Sequence, residues 1–181
     1  MLAARRGCVA VGIALVLSLG GTTNANADHA KDANAGDPDN ADHYMDRNSL
    51  TSNGDAAAVR GRDQLNRSQM NATFSGSGDV EIYDGDYNQN SWYGQTNCDS
   101  GFNPFNGNCD VFRVRFDTEN MAGLGLSYWR SLGCHELGHT AGLGHRYPDD
   151  DAPGTTQSCM RSDIWPEVLD QHDLDAINSS V

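Results

Sequence analysis

Basic residues are scarce in this chain: 12 Lys and Arg stand against 25 Asp and Glu, a formal charge of −13 over 181 residues. A nucleic-acid partner would need a basic face, and an anionic membrane would need a basic patch, so the charge balance argues against both. Glutamate is rarer still, four of the 25 acids, the other 21 being Asp. Asp favours turns and caps over helix interiors, and 20 Gly add to the same bias toward loops. No apolar run approaches the roughly 18 residues of a membrane-spanning helix, and no internal repeat is present. The length fits one domain with a tail.

The first residues do not read as part of a fold. Arg5 and Arg6 are followed by an apolar stretch from Cys8 to Leu19 and by Ala25-Asn26-Ala27. A positive start, a short apolar core and an A-x-A site describe a secretory signal peptide, here over residues 1–27 with cleavage after Ala27. The expected location is therefore extracellular. Four cysteines would remain, Cys98, Cys109, Cys134 and Cys159, an even number that in an exported protein suggests disulfides. Residues 28–42 are acidic and almost devoid of large apolar side chains, which reads as a flexible N-terminal arm. A short inhibitory pro-segment is the alternative, and with no Cys between Asp28 and Asn97 it could not be thiol-based.

The remaining residues, 43–181, alternate strand and helix signals. His43-Tyr44-Met45 opens with a candidate strand. Asn53 or Asp55 can cap a helix over Ala56 to Ser68. Brief strands are expected at Thr73-Phe74 and Val80–Tyr83, a turn at Asp84-Gly85, and an edge strand at Ser91–Gln95. Val111–Phe116 alternates, with Phe112, Val114 and Phe116 on one face and Arg113 and Arg115 on the other, the pattern of a half-buried strand. Helices are expected over Ser127–Ala141 and Asp170–Asn178. Strands first and late helices indicate an α+β fold.

The segment that carries chemistry is His135-Glu136-Leu137-Gly138-His139-Thr140-Ala141-Gly142-Leu143-Gly144-His145. His135 and His139, four apart, share one helix face and can hold one ion. Glu136 stands beside the first ligand as a candidate general base. Gly142 permits the left-handed residue that stops a helix, so the chain can turn and return His145 as a third ligand. Three protein ligands with an open fourth position are the catalytic arrangement for zinc. Three of the six histidines fall within these eleven residues.

The pattern H-E-x-x-H-x-x-G-x-x-H resembles the metzincin metalloproteases. Ser158-Cys159-Met160-Arg161 is similar to the methionine turn that lies beneath the metal in that family, with Met160 as its methionine. Leu169–Asn178 resembles the closing helix of the matrixin branch, and Phe116-Asp117 and Asp79–Ile82 are weakly matrixin-like, so the likeness spans most of 43–181; in length the chain is most similar to the small secreted bacterial members. The family implies a mixed sheet packed on an N-terminal helix and the active-site helix, with a small C-terminal subdomain ending in a helix. It also implies one catalytic Zn2+, Glu136 as general base, and a protein or peptide substrate lying along the edge strand of a monomer. Three features depart from it: Arg146 after the third His is not typical of the main branches, Ser162 stands where astacin-like members carry a tyrosine ligand, and no accessory domain is expected after the catalytic one. A zinc-binding module without catalysis is the alternative class.

Cys98 and Cys109 bracket a Gly/Asn-rich stretch and are expected to clasp it. Because the resemblance sets the helix over the methionine turn, it also implies a Cys134–Cys159 bond, the alternative being free buried thiols. Asp84-Gly85-Asp86-Tyr87-Asn88 begins like a Ca2+ loop, but it lacks the sixth-position Gly and twelfth-position Glu of an EF-hand. It and Asp149-Asp150-Asp151 are read first as solvated turns.

Overall fold

The computed structural model describes residues 35–89, 91–146, 157–161 and 166–181. The expected signal peptide and Asp149-Asp150-Asp151 lie outside these residues. The elements are β1 (Asp37–Pro38), β2 (Asp42–Asn48), α1 (Ser52–Leu65), β3 (Asn71–Phe74), β4 (Val80–Gly85), β5 (Gly94–Ser100), β6 (Asn108–Cys109), β7 (Val111–Asp117), α2 (Leu126–Thr140) and α3 (Gln171–Ser180). The result is an α+β fold: a five-stranded mixed sheet packed against two helices, with a third helix closing the chain.

Strand order is β3-β2-β4-β7-β5. The first four run parallel, and β5 lies antiparallel to β7 at the edge. The alternation of β7 sorts its two faces. Phe112, Val114 and Phe116 are buried with Val80, Ile82 and Met45. Arg113 and Arg115 cover the opposite face, Arg113 reaching Asp99 at 2.8 Å and Arg115 lying over Tyr87 and Trp92. Helices α1 and α2 pack tightly on one another because Gly61 and Gly133 stand at their crossing. A Cβ on Gly133 would collide with the Ala57 backbone, and one on Gly61 with Leu137.

The closing helix joins the same core. Leu174 and Ile177 are buried in it, and Asp170 caps it through a reciprocal capping box with Asp173. Residues 35–42, the part of the expected acidic arm that is described, pack on the domain. Ala35 is fully buried, and Asp37–Pro38 pairs with Asn108–Cys109.

Three local expectations are corrected. Helix α1 starts earlier, capped by Thr51 rather than Asn53 or Asp55. The Thr51 hydroxyl accepts from the Gly54 amide at 3.1 Å, and Asp84 at the end of β4 accepts from the Thr51 amide at 2.9 Å. A contact between elements distant in sequence therefore sets the helix start. The same contact occupies Asp84, and Asp84-Gly85 extends β4 instead of turning. The edge strand runs over Gly94–Ser100 rather than Ser91–Gln95. Its Gln, Asn and Asp residues have poor strand propensity, and pairing with β7 overrides it. Ser91 and Trp92 instead lie in a loop pinned by Gln89 and Asn120, whose amides donate to the Trp92 carbonyl at 2.8 Å.

Candidate metal centre

Helix α2 presents His135 and His139 from one face, one turn apart. It ends at Thr140, and Gly142 adopts φ 82°. The amides of Gly142 and Leu143 donate to the His139 and Gly138 carbonyls at 3.0 and 3.3 Å, the paired bonds of a Schellman motif. A side chain at 142 would meet the left-handed backbone penalty, so glycine is what lets the chain reverse here. The reversal carries His145 back to the helix. Nε2 of His135 lies 3.1 Å from Nε2 of His145 and 3.1 Å from Nε2 of His139.

The outer ring atoms fix the tautomers. Nδ1 of His135 lies 2.7 Å from the Cys159 carbonyl, and Nδ1 of His139 lies 2.7 Å from the Leu143 carbonyl. A carbonyl oxygen only accepts, so each Nδ1 carries the proton and each Nε2 presents its lone pair inward. Facing lone pairs at 3.1 Å repel unless a cation sits between them. Tetrahedral zinc, with Zn–N bonds of about 2.0–2.1 Å, sets ligand nitrogens about 3.3 Å apart. The three-His group therefore fits a metal ion such as zinc. Burial lowers the pKa of His139 to about 4; the Leu143 carbonyl opposes this and the nearby His145 adds to it. Metal binding requires the neutral form.

Residues 158–161 form the floor. Met160 is fully buried, and its thioether lies against Gly138, where a Cβ would displace it. The Met160 amide donates to the Ser158 hydroxyl at 2.9 Å. The Met160 carbonyl accepts from the Arg146 amide at 2.8 Å. The disulfide Cys134–Cys159 joins helix to floor, and Cys98–Cys109 closes the separate loop beside β5. Cys159 thus holds the first histidine twice, through its sulfur to the neighbouring residue and through its carbonyl to the ring.

Glu136 is buried and points to the edge strand. The Thr96 hydroxyl lies 2.7 Å from its Oε2 and 2.9 Å from its main-chain carbonyl. Thr96 lies just beyond the edge strand expected from sequence at Ser91–Gln95, and no spacing rule ties it to Glu136; the structure brings it there on β5. The structure also supplies a use for the atypical Arg146. Its guanidinium, 4% exposed, pairs with Asp170 and stands 3.8 Å from Asp173. Asp170, His172 and Asp173 form a second group of ligand-type side chains. Of the candidate Ca2+ start, Asp84 binds Thr51 and Asp86 accepts from the Asn88 amide at 2.8 Å, which closes a local turn.

No helix among the described residues is long and apolar enough to cross a membrane, and the two disulfides suit an oxidising compartment. No protein-family model and no curated protein matches the chain.

Proposed function

We propose that the chain is a zinc-dependent endopeptidase of metzincin type, exported by its first 27 residues and acting outside the cell on protein or peptide substrates. The observation that carries this reading is the convergence of three Nε2 atoms at metal-ligand spacing, with the Glu136 carboxylate on the next residue and an antiparallel edge strand beside it. A structural site has no use for that carboxylate, because three imidazoles and one further ligand complete a shell. The likeness of Met160 to the family's methionine turn and of 169–178 to the matrixin closing helix supports the same assignment.

Zinc held by His135, His139 and His145 would supply a water acidified toward neutral pH and a Lewis acid for the scissile carbonyl. The residues do the rest. The Nδ1–H bonds to Cys159 and Leu143 hold the rings with Nε2 inward. Glu136 takes the proton from the attacking water and delivers it to the leaving amine. The edge of β5 not paired with β7 offers main-chain groups to an extended substrate.

The test is Glu136→Gln, which keeps shape and removes the base. Activity on casein should fall by about 10²–10⁴-fold while bound zinc stays at the wild-type level. Wild-type turnover by this variant would refute the mechanism, and a wild-type protein that binds zinc but never cleaves would favour a non-catalytic zinc module.

A further inference from the structure

The face of β5 turned toward α2 bears Gly94 and Thr96, two residues apart, and both meet the Glu136 side chain. A Cβ built on Gly94 would stand 2.6 Å from Oε1 and 2.8 Å from Cδ of Glu136. Thr96 is buried, with its hydroxyl 2.7 Å from Oε2. That hydroxyl has one proton and two acceptors in reach, and the carboxylate is the stronger acceptor. One carboxylate oxygen is thereby tied to the strand, and the other lies over the space that the missing side chain leaves.

We propose that Gly94 and Thr96 are positioning residues that cradle Glu136 and set the direction from which its carboxylate meets the attacking water. The inference rests on the reading of Glu136 as general base. It adds that the orientation of the base is written into the edge strand rather than into the helix that carries it. Rotation about the Glu136 side-chain torsions would otherwise move the carboxylate by more than a hydrogen-bond length, and catalytic groups need placement to within about half an ångström. The cradle also links substrate and base, because the strand whose free edge would pair with a peptide is the strand that holds the carboxylate.

The experiment compares Thr96→Val, Thr96→Ser and Gly94→Ala with wild type in bound zinc, thermal midpoint, kcat and KM on one fluorogenic peptide. Valine keeps the shape of threonine and loses the donor. Its kcat should fall by about tenfold to a hundredfold, the scale of one hydrogen bond to a charged group, with KM and zinc content unchanged. Serine retains the donor and should restore most of the rate even where it lowers the melting point through the lost methyl. Alanine at 94 should also lower kcat with zinc retained, by pushing the carboxylate off the strand. If Thr96→Val turns over at the wild-type kcat, or if serine is as slow as valine, the cradle is wrong. Glu136→Gln in the same series keeps the two ideas apart. An active Gln variant overturns the role of Glu136 itself, whereas an inactive Gln variant beside a fully active Val variant overturns the cradle alone.

Discussion

The group His135, His139 and His145 and the group Asp170, His172 and Asp173 each bring three ligand-type atoms within 4.8 Å of one another. The second group holds a cation of the chain's own, the buried guanidinium of Arg146, which pairs with Asp170 and faces Asp173. The first is three imidazoles, two of them locked by carbonyls with their lone pairs turned inward. Clustering of metal-binding residue types is thus no sufficient sign of a metal site. What separates the two is whether the chain has already supplied the charge. The two groups are also joined, since Arg146 follows His145 directly and its amide bonds to Met160 under the helix.

The largest effect that separates the groups should come from ligand removal. His145→Ala should lose its zinc on dialysis, because two histidines do not close a stable site. His172→Ala should keep one equivalent. His145 is exposed, so the first variant should remain folded by circular dichroism. Metal analysis giving the opposite ranking would reverse the assignment.

A smaller effect, on stability, should come from Arg146→Met. The side chains of Arg146 and Asp170 are 4% and 12% exposed, and breaking a buried pair by deleting one partner costs about 3–5 kcal/mol. Exposed pairs such as Arg47–Asp55, 38% and 47% exposed, contribute under about 1 kcal/mol. Urea unfolding of the zinc-loaded protein would measure the difference. A loss below that of a surface pair would show that the guanidinium does not hold the loop after His145 to the closing helix.

Much of the first group could be read from sequence because its geometry is local. His135 and His139 are related by helical periodicity alone, and the glycine at 142 marks the reversal that returns His145. The strand over Val111–Phe116 is equally plain from its alternation, and the structure carries it one residue further, to Asp117. What escaped were relations between elements remote in the chain. Thr96 binds Glu136 across 40 residues, and no spacing rule connects them. The edge strand carries Gly, Gln, Asn and Asp, so its own composition argues for a loop, and only its partner β7 makes it a strand. Thr51 caps α1 with Asp84 of β4 holding its amide, a contact that no local pattern separates from the caps Asn53 and Asp55 offer. Arg146 follows the third histidine, but its partners Asp170 and Asp173 lie more than twenty residues on, and only the fold brings them within reach.

The smallest expected effect concerns a histidine outside both groups. His43 on β2 is buried, with Nε2 3.1 Å from the Thr140 carbonyl at the last residue of α2 and Nδ1 3.3 Å from the Asp42 carbonyl. Burial lowers its pKa below the ordinary value, and the carbonyls of Thr140 and Asp42 and the charges of Asp79 and Asp39 only partly oppose that. The folded chain thus holds His43 neutral at a pH where the unfolded chain, with its pKa near 6.5, already takes up a proton. Stability from this residue is complete above about pH 6.5 and is lost as the pH falls below it toward the folded value. Urea midpoints at pH 7.5 and 5.5, taken with zinc saturating so that the ligand histidines stay neutral, should show the lower pH to be less stable. His43→Gln, which cannot titrate, should flatten that dependence even though it lowers stability at pH 7.5. The mark of the effect is therefore the slope rather than the level. Equal slopes in the two proteins would mean that acid weakens the end of α2 through some other group, and would leave the contrast between the two clusters standing without this support for its helix.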